Sequence, residues 1–132
     1  MEIAASQHHG RVPVTVFQLR GDLDANTYEQ LETRAREAHA TGMRDLVLDL
    51  AGVPYISTAG IRAINNIFNL LRTGAPTESD SAIHQGLQDG TFKSPHLKLL
   101  NPPPRVADVL NMAGVDMFLE IHSDLGVAVA SF

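Results

Sequence analysis

The sequence has no cysteine and no tryptophan among its 132 residues, and only 5% of its residues are aromatic. Without cysteine, the chain can have no disulfide bond, no thiolate nucleophile and no cysteine-ligated zinc site. Six histidines are present, but no two of them stand four residues apart and none belongs to an HExxH motif. The sequence therefore predicts no metal site, and the absence of cysteine is compatible with a reducing compartment.

Clusters of positive charge and long apolar segments are also missing. The chain has 15 acidic and 10 basic residues, for a formal net charge of −5, and it has no block of Lys or Arg. No apolar run comes close to the ~20 residues that cross a membrane. The first residues lack the basic and apolar regions of a signal peptide. We therefore expect no nucleic-acid partner, no direct membrane insertion and a cytoplasmic location.

The motifs of common enzyme families are not found. Neither GxGxxG nor GxxxxGK follows a predicted strand, GxSxG does not occur, and no nucleophile is paired with a recognisable base. We therefore expect no enzymatic activity, no catalytic residue and no cofactor. Asp22 and Asp24 are two residues apart, so their side chains share one side of an extended segment. This pair could serve acid–base chemistry or belong to a solvated turn before a helix.

Length and composition predict one globular domain. Hydrophobic residues make up 44% of the chain and charged residues 19%, which is an ordinary globular balance. A chain of this length buries roughly two-thirds of its unfolded surface. We expect a single domain over residues 1–132 with a core at about 12–130.

Apolar patterns predict alternating strands and helices. Alternating or short continuous apolar segments predict strands at 12–19, 46–50, 97–100 and about 117–121. Apolar residues at helical spacing predict helices at about 26–41, 59–72 and 104–113, and a short last helix is indicated at 123–129. Strands that alternate with helices predict an α/β fold. We expect a mixed, mostly parallel sheet of four or five strands with about four helices.

The same patterns indicate positions within the sheet. The short apolar run 46–50 is typical of a central strand, and Pro13 places strand 12–19 toward an edge. The segment 73–95 is rich in Gly, Ser, Thr, Asp and Pro. We expect it to be an insertion loop at the surface of the same domain.

The segment 53–61 links the predicted central strand to the second helix. It places two hydroxyl side chains, Ser57 and Thr58, where the first N–H groups of a helix have no partner within the helix. Either hydroxyl can cap the helix. A hydroxyl at this position can also carry a phosphoryl group, because the helix dipole and the free N–H groups favour an anion. The two interpretations are compatible.

The residues around this segment resemble a known family. Leu46–Leu50, Val53–Ile56 and Ser57–Ile61 together resemble the signature of the STAS domain, the family of bacterial anti-sigma factor antagonists. Leu19–Asp24 resembles the exit of the first strand in that family. The resemblance extends over nearly the whole chain, from about residue 12 to residue 129.

The resemblance implies a function and a modified residue. In the family, an anti-sigma factor that is itself a serine/threonine kinase phosphorylates one hydroxyl before the second helix, and a protein phosphatase takes part in the cycle. That position corresponds to Thr58, with Ser57 as the second choice. Ser57 stands where the best-known members carry Asp, and Ser also occurs there in the family. The unphosphorylated protein is then expected to sequester the anti-sigma factor and to free a sigma factor for transcription.

We expect the partner to bind residues that follow the carboxyl ends of the strands. The predicted binding residues are Asp22, Asp24, Ser57, Thr58, Ala59, Gly60, Arg62, Asn65 and Asn66. The resemblance is compatible with a monomer or a weak homodimer. Two other roles stay open: a structural STAS subunit of a signalling or lipid-transport assembly, and a STAS domain that binds a small ligand or a nucleotide.

Overall fold

The computed structural model describes residues 1–72 and 94–132, which build one five-stranded sheet. The strands are β1 (Glu2–His9), β2 (Pro13–Arg20), β3 (Leu46–Gly52), β4 (Leu97–Leu100) and β5 (Glu120–His122). They lie in the order β1-β2-β3-β4-β5. β1 is antiparallel to β2, and the other neighbouring strands are parallel. The predicted mixed, mostly parallel sheet is confirmed.

Four α-helices accompany the sheet in the described part of the chain. They are α1 (Tyr28–Ala40), α2 (Thr58–Arg72), α3 (Pro104–Met112) and α4 (Leu125–Ala130). Each end of α1, α2 and α3 lies within about two residues of its predicted position. The short last helix also forms, and the Asp124 side chain caps it by accepting a hydrogen bond from the Val127 N–H at 2.9 Å. The α/β class of the fold is therefore confirmed.

One edge of the sheet is a strand that the sequence did not predict. β1 pairs with β2 along its whole length, from Glu2 opposite Arg20 to His9 opposite Pro13. β1, and not the predicted strand 12–19, therefore forms this edge. Most β1 side chains are exposed, and Ile3 is one of the few that pack against the core. Because both sides of β1 lie largely in solvent, its residues lack the apolar alternation that reveals a half-buried strand.

The last strand is shorter and later than the predicted 117–121. After Gly114, which has a φ of 77°, Val115–Met117 forms one turn of 3-10 helix, and β5 begins only at Glu120. Of the alternating apolar residues that suggested the longer strand, only Leu119 is fully buried. The apolar residues on either side of it, Met117 and Ile121, are exposed, so their alternation does not mark a half-buried strand.

The sheet buries apolar side chains on both faces. Leu46, Leu48 and Leu50 of β3 are fully buried and belong to the main core, which includes residues of α1, α2 and α3. Val47 points to the opposite face, where Val129 of α4 contributes to a second, smaller cluster. The continuous apolar run of β3 therefore reflects a central strand that is covered on both faces, as predicted.

Lys98 of β4 is a buried cation on the second face. It is 2% exposed. Its Nζ donates to the Glu120 carboxylate and to the Ser131 carbonyl at 3.3 Å, and it lies 4.9 Å from the centre of the Phe132 ring. A buried charge needs such partners, because leaving it unpaired costs several kcal/mol, roughly 3–5. Lys98 thus joins the C-terminal residues to the sheet.

Most of the predicted insertion loop 73–95 lies outside the described residues. Ser94, near its end, is 3% exposed, and its Oγ accepts hydrogen bonds from the N–H groups of His96 and Leu97, both at 3.3 Å. This residue is therefore buried rather than at the surface. No helix in the ranges 1–72 and 94–132 is long and apolar enough to cross a membrane.

Replacing Leu48 by Ala tests the central position of β3. Leu48 is fully buried, so the truncation removes core contacts and leaves a cavity. We expect a loss of about 2–5 kcal/mol in the free energy of unfolding, measured by urea denaturation. Met112→Ala is the control, because Met112 is 85% exposed and its truncation should change stability by about 0.5 kcal/mol or less. Equal effects of the two changes would contradict the assignment.

Candidate functional site

Two loops meet where β2 and β3 end. The strands are adjacent and parallel, so their carboxyl ends lie at the same edge of the sheet. The chain continues this contact beyond the strands, because the Gly21 N–H donates to the Gly52 carbonyl at 3.0 Å. We call residues 21–24 together with residues 53–62 the helix-start surface, since they surround the beginning of α2.

Leu23 connects the first loop, residues 21–24, to the second loop, which begins at residue 53. Its N–H donates to the Tyr55 carbonyl, and its carbonyl accepts from the Ser57 N–H, both at 3.0 Å. Leu23 and Ile56 also form an isolated parallel β-bridge, and both side chains are buried. The sheet ladder therefore extends to the last residue before α2. As a result, the Asp22–Asp24 segment lies beside the start of that helix.

Gly60 allows the helix to approach the first loop closely. A Cβ at this position would lie 2.6 Å from the Leu23 carbonyl oxygen and 2.8 Å from Cγ1 of Ile56. Both distances are shorter than real Cβ contacts, so a larger residue cannot fit without movement of the backbone. Gly60 is buried. Its role in the structure is packing, although it was predicted among the partner-binding residues.

The two hydroxyl side chains occupy different environments. Ser57 is half-buried, and its Oγ accepts a long hydrogen bond of 3.4 Å from the Gly60 N–H, which makes it the N-cap of α2. Thr58 is the first residue of α2, and it is exposed. The first turn of α2 has no acidic side chain. The positive end of the helix dipole is therefore not neutralised from within the helix at the position of Thr58.

Asp24 has a structural role in the first loop. Its Oδ1 accepts from the Asn26 N–H at 2.9 Å. The Thr27 hydroxyl accepts from the Asp24 N–H at 2.9 Å and donates to the Asp22 carbonyl at 2.8 Å. These hydrogen bonds are typical of a turn before a helix. Asp22 is exposed, whereas Asp24 is half-buried. The geometry favours the turn interpretation of the two aspartates over an acid–base pair.

The outer face of α2 continues the helix-start surface. Thr58, Arg62 and Asn66 follow at intervals of four residues, so they share one face of the helix, and all three are exposed. The Asn66 side chain donates to Oε1 of Glu32 on α1 at 3.2 Å. Ala59 is half-buried. The predicted residues therefore form a surface that reaches from the first loop to α1.

Asn65 does not share this face. It lines a hollow with Phe68 and Phe118, and its buried Oδ1 has no hydrogen-bond partner among residues 1–72 and 94–132. The structure thus separates Asn65 from Arg62 and Asn66, although the three were predicted together.

A cleft between α1 and α2 adds residues that the sequence did not single out. Its lining includes Tyr28, Glu29, Glu32, Arg36 and Arg62. The Tyr28 hydroxyl donates to the Glu29 carboxylate at 3.1 Å, and this hydrogen bond raises the pKa of Tyr28 above its ordinary value, while the positive charge of Arg62 acts in the opposite direction. Tyr28 and Glu32 are four residues apart on α1, and this helical spacing was the available signal. Across residues 1–72 and 94–132 there is no group of three metal-ligating side chains.

Replacing Gly60 by Ala tests the close approach of α2 to the first loop. We expect a loss of about 1–3 kcal/mol in the free energy of unfolding, because the new Cβ overlaps the Leu23 carbonyl and Ile56. Gly126→Ala in α4 is the matched control. Its Cβ would meet only the end of the Asp124 side chain, at 3.2 Å. Thermal denaturation of the two variants should separate them, and an unchanged melting temperature for Gly60→Ala would show that the loop tolerates a side chain.

Comparison with known proteins shows where this architecture occurs. An anti-sigma factor antagonist from Mycobacterium paratuberculosis is 16% identical, with a TM-score of 0.71 over 98% of this chain and 92% of that chain. A putative anti-sigma factor antagonist from Thermotoga maritima is 17% identical, with a TM-score of 0.67 over 87% and 83%. The phosphorylated form of the Bacillus cell fate determinant SpoIIAA is 16% identical, with a TM-score of 0.61 over 96% of both chains.

These structures share the fold of this chain at low sequence identity. A search of curated protein sequences finds no match. The family model of the STAS domain, however, matches residues 4–76, which is more than half of the sequence and includes both loops of the helix-start surface. The resemblance seen in the sequence is thereby confirmed, and the chain belongs to the STAS domain family.

Proposed function

We propose that this protein is an anti-sigma factor antagonist that binds an anti-sigma factor through its helix-start surface and releases it when Thr58 is phosphorylated. The observation that carries the proposal is the exposed Thr58 side chain at the first position of α2. Membership of the STAS family and the fold shared with anti-sigma factor antagonists support the same function.

Thr58 is a better phosphate acceptor than Ser57. A kinase must bring the acceptor hydroxyl into its own active site, so the hydroxyl has to be accessible. Thr58 is exposed, whereas Ser57 is half-buried and its Oγ already accepts a hydrogen bond from Gly60. Modifying Ser57 would also remove the cap of α2, at a cost of about 1 kcal/mol. Ser57 remains the second choice.

Phosphorylation of Thr58 should leave the fold intact. The phosphate adds roughly −1.5 to −2 charges near neutral pH. The first turn of α2 has no acidic residue to repel it, and the helix dipole favours an anion there by about 0.3–1 kcal/mol. Loss of the partner therefore has to arise at the interface. A repulsion of about 1.4 kcal/mol weakens binding tenfold, so a modest electrostatic penalty is sufficient for release.

The partner of this cycle is an anti-sigma factor with serine/threonine kinase activity, and a protein phosphatase restores the binding form. In this proposal the protein acts in the cytoplasm as a monomer or a weak homodimer, and it carries out no chemical reaction itself. The helix-start surface exposes charges of both signs, Asp22 and Arg62, so it offers a partner charged contacts that orient it.

Variants of Thr58 test the proposal. Thr58→Ala removes the acceptor, and we expect it to bind the anti-sigma factor in the presence of ATP with about the affinity of the unphosphorylated wild-type protein. Thr58→Glu places a negative charge at the same position and should bind at least about tenfold more weakly. Affinity is measured by calorimetry, and the melting temperature of each variant is measured alongside. Ser123→Glu is the control, because Ser123 is also exposed but lies outside the helix-start surface.

Incubation with the kinase and ATP, followed by mass spectrometry, identifies the modified residue. Modification of Ser57 alone would reject Thr58 as the acceptor. Equal affinities of the wild-type protein before and after modification of Thr58 would reject the switch.

The size of the protein in solution separates the proposal from the structural alternative. A monomer or weak dimer should elute from a size-exclusion column near 14.3 kDa or twice that mass. Elution of the purified protein as a large, concentration-independent assembly would instead favour the structural STAS subunit. Binding of a nucleotide to the purified protein, tested by calorimetry, would favour the ligand-binding alternative.

A further inference from the structure

Arg62 is an exposed cation one helical turn away from Thr58. The two residues are four positions apart on α2, a spacing that places their Cβ atoms about 5–6 Å apart on one face. Arg62 forms no ion pair and no side-chain hydrogen bond with the residues in 1–72 and 94–132. Its guanidinium group, with five N–H donors, is therefore available to a new acceptor.

Arg62 lies near acidic side chains of α1 but forms no ion pair with them. Arg62 lines the cleft with Tyr28, Glu29 and Glu32. Glu29 accepts from the Tyr28 hydroxyl, and Glu32 accepts from Asn66 while its carboxylate lies 3.8 Å from Arg36. Glu29 and Oε1 of Glu32 therefore already have partners other than Arg62. The buried Oε2 of Glu32 has no hydrogen-bond partner among residues 1–72 and 94–132.

We propose that Arg62 receives the phosphate of phosphorylated Thr58, so that modification draws the guanidinium from the α1–α2 cleft to the start of α2. This inference rests on the proposed phosphorylation of Thr58. A phosphate offers three acceptor oxygens, and a guanidinium group can donate two parallel hydrogen bonds to them. The N–H groups of the first turn contact the phosphate from the other side. No acidic side chain in that turn competes for Arg62.

The movement has a consequence for the partner. In the unphosphorylated protein, Arg62 offers a positive charge on the outer face of α2. In the phosphorylated protein that charge is used within the helix, and the carboxylates of Glu29 and Glu32 are left in the cleft without it. Phosphorylation thus removes one positive contact in addition to adding a negative group, which lets one modification change the surface at two positions.

The second ionisation of the phosphate reports this contact directly. Phosphothreonine is placed at position 58 during synthesis of the full chain, so no kinase is needed. The phosphate pKa is then measured by ³¹P NMR titration. A neighbouring cation favours the dianion, so we expect the phosphate pKa to be about 0.5 unit higher in Arg62→Gln than in the wild-type sequence. Arg62→Lys should recover part of the difference, and about 1 M NaCl should reduce it.

Arg36→Gln is the matched control, because it removes the same charge from the same cleft but from α1. We expect it to change the phosphate pKa by less than half as much. Besides Arg62, the charged and titratable groups of the helix-start surface and the cleft are Asp22, Asp24, Tyr28, Glu29, Glu32, Arg36 and Tyr55. All of them are retained in Arg62→Gln, so the difference between the two phosphoproteins reports the guanidinium.

Two results would overturn the inference: an unchanged phosphate pKa in Arg62→Gln, or an equal change in Arg36→Gln. Neither result depends on a partner protein. If no anti-sigma factor binds or phosphorylates the protein, the proposed function fails while the contact between Arg62 and the phosphate still stands. If phosphorylation switches partner binding but the phosphate pKa is the same in Arg62→Gln as in the wild-type sequence, only this inference fails.

Discussion

Two backbone hydrogen bonds at Leu23 determine where the candidate site is built. They tie the loop after β2 to the loop after β3, beyond the end of the regular ladder. The absence of a side chain at Gly60 then lets α2 begin against the Leu23 carbonyl. Since backbone groups make these contacts, the position of Thr58 relative to the first loop depends little on the exposed side chains around it. The surface can therefore change its charges without losing its shape.

The two neighbouring hydroxyl groups illustrate a division between structure and chemistry. Ser57 uses its oxygen to satisfy an N–H of the first turn, and Thr58 presents its side chain to solvent. Asp24 is likewise committed to the turn that starts α1, whereas Asp22 is exposed. Residues that determine the local fold thus alternate with residues that a partner can contact. A substitution of an exposed residue such as Thr58 or Asp22 can therefore alter the binding of a partner with little loss of stability.

The sequence predicted the secondary structure well where burial gives the apolar residues a regular spacing. Helix α2 shows its apolar spacing clearly, and β3 is a continuous apolar run, because both are covered by other elements. β1 was not predicted, since an exposed edge strand carries no such pattern. In the candidate site, the order of the strands was enough to bring the two loops together. The burial of Gly60 and the separate orientation of Asn65 depend on how α2 rotates against the sheet, which no single segment of sequence contains.

The order of the strands in the sheet is the same as their order in the chain. During synthesis, each strand that leaves the ribosome can pair with the strand made just before it, and none has to enter between two strands that are already paired. The β1–β2 hairpin, with its short connection, offers the first template. The edge strand that the sequence concealed is then the natural starting point for vectorial folding. Its removal would be felt first in the yield of newly made protein.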